Sequence, residues 1–391
     1  MPSTNPLFVF GVARSGTNLV AGMLNAHSQV KLALDPLLPF FRSLRDEWIL
    51  HSGRPNLTAA FPRGTALQDY YFRVEALELL ELIWNSSLKT SLQDSDLGAV
   101  MSQRALLESS DLAEKIMTLS GPTYADLLGQ MLVKLGADCF GDLRWCGAKE
   151  VWTTEFIPAL LGHYPKAKAI IVRRDPRAVI ASLVAISKKD PTQAGHIVSY
   201  LRHWRKDFAI ATELLSRSEF IDQVSVVKYE ELVENPALGS DSLCKFLGIS
   251  LEPEMGNPVM GEGGAKNSNS SYGQFSGISI SSLRRWPEIL DEATIATIEY
   301  LCGPEMVASG YEISHNDVNI KNADVERVFR VADANSGSWR SDTGSMSEQL
   351  RFEAERWRMY VSRQLFCKED ICKNFLFQSS FFKCVEAFDS R

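Results

Sequence analysis

Short, β-branched apolar runs alternate along this chain with apolar positions at helical spacing, and the alternation predicts an architecture. Leu7-Phe8-Val9-Phe10 is apolar on both faces of an extended chain, which predicts a buried strand ending at Gly11. Leu19, Val20, Met23 and Leu24 then recur at the spacing of a helix, so the chain opens strand, glycine loop, helix. Ala169-Ile170-Ile171-Val172 predicts a second strand, followed by a helix bearing Val179, Ile180, Leu183 and Val184. Val224-Ser225-Val226-Val227 predicts a third, followed by a helix with Leu243, Phe246 and Leu247. Strands that alternate with helices imply a parallel sheet with right-handed crossovers, an α/β fold.

Between the first two units lies a mostly helical insertion, residues 44–135, with the aromatic cluster Tyr70, Tyr71, Phe72 and the series Leu77, Leu80, Ile83. It reads either as a cap over an acceptor or as a plain packing subdomain. Residues 262–282 are rich in Gly, Ser and Asn and read as a loop. After residue 315 the chain turns polar, and a C-terminal extension, 316–391, ends in a helix with Leu350, Ala354, Trp357, Val361 and Leu365 on one face. That face is expected to dock on the protein's own body or on a second copy in a homodimer.

Composition adds limits. With 41 Lys+Arg against 48 Asp+Glu in 391 residues, the net charge is −7, which argues against general nucleic-acid binding but leaves room for a local anion pocket. No run of ~18 apolar residues and no basic n-region followed by an apolar stretch occurs, so neither a membrane span nor a signal peptide is expected. The seven cysteines are scattered outside CxxC pairs and read as thiols of a reducing compartment, hence a cytoplasmic protein.

The candidate chemistry begins at Gly11-Val12-Ala13-Arg14-Ser15-Gly16-Thr17-Asn18, between strand and helix, where backbone N–H groups and a helix N-terminus converge on an anion. The pattern is close to the nucleotide-triphosphate loop GxxxxGK[ST], but Thr17 stands at the Lys position, which disfavours ATP or GTP hydrolysis. Arg14 and Thr17 remain able to grip a phosphate. A second anion site is read at Arg173-Arg174-Asp175-Pro176-Arg177, with Ser182 on the following helix, while Asp175 and Pro176 cap and open that helix.

These two segments resemble the signatures of the sulfotransferase family: GxxRSGT[ST]xL in the first loop, and an Arg before Asp-Pro with a downstream Ser in the second. The resemblance implies a three-layer α/β/α fold with a central parallel sheet of P-loop NTPase-like type, within a sulfotransferase domain spanning 1–315. It implies the donor 3′-phosphoadenylyl sulfate (PAPS), with PAP as product and no metal. Arg14, Ser15, Gly16, Thr17 and Asn18 would hold the 5′-phosphosulfate, and Arg174 and Ser182 the 3′-phosphate. Val227-Lys228-Tyr229-Glu230-Glu231-Leu232 resembles the family's YEDL segment and places Tyr229 near the adenine. Asn267–Ser271 and Leu283-Arg284-Arg285-Trp286 resemble the late loop over the nucleotide, with Ser270 and Arg285 as binding candidates.

For the transfer itself the resemblance points to Lys149, in Gly147-Ala148-Lys149-Glu150, as the contact to the sulfuryl group, with Arg14 as a second cation. Val151 stands where that signature has Pro. Asp35, in Leu32-Ala33-Leu34-Asp35-Pro36, occupies the position of a catalytic carboxylate in tyrosylprotein- and carbohydrate-type relatives. The same Asp-Pro pair also reads as a helix N-cap. His27 and His203 read as structural. The expected reaction moves a sulfuryl group to a hydroxyl or amine of a small-molecule or saccharide acceptor; a non-catalytic nucleotide-binding protein and an ATP-dependent kinase are the alternatives.

Overall fold

The structure, a computed structural model, describes residues 4–65, 67, 75–106, 110–137, 142–189, 197–258, 278–280, 283, 285–314, 346–363 and 374–389. The strands are β1 (Asn5–Gly11), β2 (Val30–Leu34), β3 (Trp145–Val151), β4 (Lys168–Arg173) and β5 (Val224–Lys228). Between β1 and β3 run α1 (Thr17–Asn25), α2 (Leu38–His51), α3 (Pro55–Ala60), α4 (Ala76–Trp84), α5 (Leu97–Ala105), α6 (Ser110–Ile116) and α7 (Tyr124–Gly136). α8 (Ile157–His163) joins β3 to β4, and α9 (Pro176–Lys189) and α10 (Ile197–Ser216) separate β4 from β5. The chain continues through α11 (Tyr229–Glu234), α12 (Pro236–Leu247), α13 (Trp286–Ile289), α14 (Glu292–Ala308), α15 (Met346–Ser362) and α16 (Gln378–Asp389).

All five strands are parallel, in the order β2-β3-β1-β4-β5. Helices flank the sheet, giving a three-layer α/β/α fold of the P-loop NTPase-like type with a helical insertion and a C-terminal helical extension. The strand order reverses about β1, and in open parallel sheets such a switch point opens a crevice beyond the carboxyl ends of the strands. Three strands, β1, β4 and β5, stand where the apolar runs predict them. β2 and β3 lie in segments that carry no such run.

The chain divides into two compact units: Met1–Thr65, Glu78–Arg173 and Glu219–Ile280 form the first, and Ala66–Leu77, Arg174–Ser218 and Ser281–Arg391 the second. The first holds the whole sheet. One face of β1 presents Leu7 and Val9 to Val20, Met23 and Leu24 of α1 and to Leu243 and Leu247 of α12, all buried. α7 starts because Thr123 accepts the N–H of Asp126 at 3.2 Å. α12 starts with Asn235 accepting from Leu238 and with Pro236 in its first turn, and stops at Gly248 with φ 68°.

β3 approaches β1 more closely than a side chain allows. A Cβ on Gly147 would lie 1.6 Å from the carbonyl oxygen of Leu7, so only glycine fits there.

In the second unit the helix expected to end the chain, α15, is followed by a further helix, α16, and differs from its expected packing. α15 buries Phe352, Glu353, Arg356, Trp357, Met359 and Tyr360, whereas Ala354 and Val361 are exposed. The shift follows from charge pairing, which lets two ionised side chains join the inward face. Arg356 holds Glu305 of α14 at 2.9 and 3.0 Å and Glu353 at 3.0 Å, and Arg205 of α10 holds Glu353 at 2.8 Å. Burial alone would raise the Glu353 carboxyl, but Arg205, Arg356 and Arg202 outweigh it and hold it below its ordinary value. Trp357 adds an indole N–H to the carbonyl of Tyr300 at 2.6 Å. Leu365 and the cluster Tyr70, Tyr71, Phe72 lie outside the described residues.

Gly147→Ala is expected to destabilise the protein by at least about 3 kcal/mol, because backbone atoms rather than a flexible side chain stand in the way. Urea denaturation of the variant beside the wild type measures this, and a loss under about 1 kcal/mol would mean that β3 shifts freely along β1.

Candidate active site

The carboxyl end of the sheet gathers the first set of candidates. β1 ends at Gly11, and the loop to α1 carries Arg14 with φ 74° and Gly16 with φ 97°. Gly16 is the N-cap of α1, and no side chain caps that helix. Its first-turn N–H groups are therefore left to another acceptor. Ser15 is fully buried, and its hydroxyl oxygen has no hydrogen-bond partner. Thr17 is buried at the first position of α1, and Arg14 and Asn18 are half-buried. An orphaned hydroxyl beside an uncapped helix N-terminus fits a phosphate-type anion.

Tyr229, the first residue of α11 and directly after β5, packs its ring on this loop. A Cβ on Gly16 would meet Tyr229 Cδ2 at 2.2 Å, so the absence of a side chain at Gly16 makes room for the ring. An aromatic face thus stands against the β1–α1 loop.

Lys149 projects from β3, opposite Val9 of β1, and only 2% of it is exposed. A buried ammonium needs a matched anion, and its Nζ donates to Oδ2 of Asp35. The Asp35 N–H in turn bonds the Lys149 carbonyl at 2.8 Å, extending the β2–β3 ladder by one residue. Asp35 adopts φ 53°, which turns the chain out of β2. Its N-cap reading does not hold: α2 starts at Leu38 with Leu37 as N-cap, and the Asp35 side chain is spent on Lys149 instead. Asp35 Oδ1 is buried without a hydrogen-bond partner.

Two residues that sequence reasoning passed over complete this corner. Arg104 of α5 donates from Nε to the Asp35 carbonyl at 3.3 Å, so the helical insertion reaches the Asp35 turn. Glu150, fully buried on β3, accepts the N–H of Leu37 and so ties down the far side of the same turn. Its other carboxylate oxygen has no partner. Burial, and then the charge of Asp35, push the Glu150 carboxyl well above its ordinary value.

In the second unit, Arg174 precedes the Asp175-Pro176 start of α9, and Ser182 lies in the second turn; both are buried. Asp175 caps α9 by accepting the Arg177 N–H at 2.8 Å, as expected. Arg177 is consumed structurally: it pairs with Asp175 at 2.7 Å and Glu299 at 2.7 Å, and its guanidinium lies 4.3 Å from the ring centroid of Trp286. That stack brings Arg285, the N-cap of α13, to the start of α9. Ser270 falls outside the described residues.

The two histidines are tied into the fold. His27, just past α1, bonds the Ser250 carbonyl at 2.7 Å, and His203 lies 3.3 Å from Asp207 on α10. Among the described residues, no group of three or more His, Cys, Asp or Glu side chains is arranged to hold a metal ion, and no helix is long and apolar enough to cross a membrane.

Residues 6–253 match the sequence pattern of the sulfotransferase family, a stretch that includes the β1–α1 loop, Lys149, the Arg174-Asp175-Pro176 segment and Tyr229. The chain belongs to the sulfotransferase family. Among solved structures, this sulfotransferase is similar to the sulfotransferase domain of the Synechococcus PCC 7002 olefin synthase, at 18% identity and TM-score 0.46, covering 80% of this chain and 98% of that one. It is also similar to the sulfotransferase domain from the curacin biosynthetic pathway, at 16% identity and TM-score 0.48, covering 80% and 100%. The sulfotransferase STF9 from Mycobacterium avium follows at 14% identity and TM-score 0.40, covering 81% and 79%. No curated protein matches the chain.

A carboxyl whose value is raised on folding binds its proton more tightly in the folded state. Glu150 therefore contributes stability that is complete below about pH 4.3, the unfolded value, and is lost as pH climbs toward the folded value. Glu150→Gln keeps an acceptor for Leu37 and removes the titration. Its stability relative to wild type is expected to rise as pH climbs above about 5, by up to about 1.4 kcal/mol per pH unit. Urea midpoints at several pH values check this; a difference that stays constant would mean that Glu150 is ionised throughout.

Proposed function

We propose that this sulfotransferase moves the sulfuryl group of PAPS to a hydroxyl or amine of a small-molecule or saccharide acceptor by in-line displacement. The observation that carries the reading is the Lys149–Asp35 pair, with Lys149 opposite Val9 towards the carboxyl end of β1. It joins in one contact the cation and the base that such a transfer needs. Bound PAPS supplies an activated sulfur with a good phosphate leaving group.

In this reading the N–H groups of the loop and the hydroxyls of Ser15 and Thr17 hold the 5′-phosphosulfate, with Asn18 beside them. Ser15 is suited to the task because its buried hydroxyl lacks any other partner. Tyr229 lies along the adenine, and Arg174 and Ser182 take the 3′-phosphate, with Arg285 and Ser270 as further contacts. Asp35 accepts at Oδ1 the proton released as the acceptor oxygen or nitrogen bonds to sulfur. The sulfur–oxygen bond to phosphate breaks in the same step, and its electron pair leaves with PAP. Arg14 and Lys149 stabilise the negative charge spread over the transferring group and the leaving oxygen. No step calls for a metal. Arg104 links the helical insertion to the Asp35 turn, which supports the insertion as the acceptor wall.

Calorimetry with PAP and with ATP, each with and without Mg²⁺, tests the donor. Metal-independent binding of PAP alone is expected; a preference for Mg²⁺-ATP would overturn the reading in favour of phosphoryl transfer. Arg174→Ala is expected to weaken PAP binding by roughly 10- to 100-fold, as befits a lost charged contact. Asp35→Asn is expected to lower turnover by about 10²-fold or more, and Lys149→Ala by a similar factor, with PAP affinity little changed. Undiminished turnover in Asp35→Asn would remove it as the base.

A further inference from the structure

Arg174 sits in a backbone position that its own helix cannot hold. α9 begins at Pro176, and the first intrahelical bond runs from the Val179 N–H to the Asp175 carbonyl at 3.0 Å. Pro176 has no N–H, and the Arg174 carbonyl lies one residue too early for the ladder. A buried carbonyl left without a donor is costly. The donor comes from α10: the Trp204 indole N–H bonds the Arg174 carbonyl at 2.8 Å. Both residues are almost fully buried.

Trp204 is itself fixed on two sides. Its ring stacks on Phe208 one turn along α10, with centroids 6.4 Å apart and planes 16° apart. The next residue, Arg205, is clamped by Glu353 of α15 at 2.8 Å and lies 3.7 Å from Glu305 of α14. A chain of buried contacts therefore runs from the C-terminal extension through Arg205 and Trp204 to the peptide that aims the Arg174 side chain. The family pattern ends at residue 253, so α14 and α15, which hold Arg205, lie beyond it.

We propose that Trp204 is a positioning residue for recognition of the 3′-phosphate, acting through the carbonyl of Arg174, and that the Glu353–Arg205 pair of the C-terminal extension supports it. The proposal rests on Arg174 contacting the 3′-phosphate as described above. It gives the extension a part in choosing a 3′-phosphorylated nucleotide over one without that phosphate.

The readout is the ratio of affinities for PAP and for adenosine 5′-phosphate, which lacks the 3′-phosphate, measured by calorimetry on the full chain. Trp204→Phe keeps an aromatic ring against Phe208 and removes the N–H together with the five-membered part of the indole. It is expected to lower the ratio by about fivefold, the usual worth of one buried hydrogen bond, with 5′-phosphate affinity unchanged. Glu353→Gln is expected to lower the ratio by a smaller factor, and it supplies the measurement if Trp204→Phe does not fold. A general loosening would weaken both nucleotides alike and leave the ratio in place. An unchanged ratio in a folded variant overturns the positioning role. If the wild type itself binds PAP no better than adenosine 5′-phosphate, the 3′-phosphate role of Arg174 falls, and this proposal falls with it.

Discussion

A lysine with 2% exposure on an inner strand cannot remain charged without a matched anion, and much of the candidate site follows from that requirement. Asp35 supplies the anion, and to do so it must leave the end of β2 with a left-handed backbone. Glu150 and Arg104 then hold the turn on either side, through the Leu37 N–H and the Asp35 carbonyl. The result is a carboxylate with one oxygen engaged and the other unengaged, at the carboxyl end of the sheet, the end at which the β1–α1 loop also begins. The contact that makes Lys149 tolerable in the interior also orients Asp35.

The second unit solves a similar problem without leaving an open acceptor. Arg205, Arg356, Glu305 and Glu353 are all nearly inaccessible, and each is engaged by an opposite charge across three helices. Such networks are weak contributors to net stability, because desolvation offsets most of the attraction. Their value is geometric, since an ion pair with no water to replace a partner tolerates few alternative arrangements. α15 is thereby set in one register against α10 and α14.

Three strands were legible because their apolar runs announce burial on both faces. β3 was not, since Gly147, Lys149 and Glu150 interrupt its pattern although all seven of its residues are buried. What satisfies those charges is Asp35 and the Leu37 N–H, both far away in sequence and invisible to any local window. β2 is short and carries an exposed Lys31, which hid it equally. The same limit explains α15, where an apolar stripe through Ala354 and Val361 seemed the natural inner face, yet paired Glu353 and Arg356 took that place. The glycine loop between β1 and α1 was readable from residue types alone, because Gly11 and Gly16 mark the turn between an apolar run and a helical series. The packing of Tyr229 on Gly16 and the bond from Trp204 to Arg174 were not legible, since one joins residues far apart in sequence and the other ends on a backbone carbonyl.

The strand order also governs how the chain can be made. β1 takes its neighbours from β3 and β4, with Val9 opposite Lys149 on one side and Ile170 on the other. Among these five strands, the first to be made thus waits for two later ones before it is paired on both edges. Until well over a hundred further residues have emerged, Leu7-Phe8-Val9-Phe10 has no sheet to join. During synthesis that segment is an unpaired apolar strand with two open edges, the kind of surface that chaperones bind and that aggregates when they are scarce. The innermost strand of the finished sheet is therefore the exposed liability of the nascent chain.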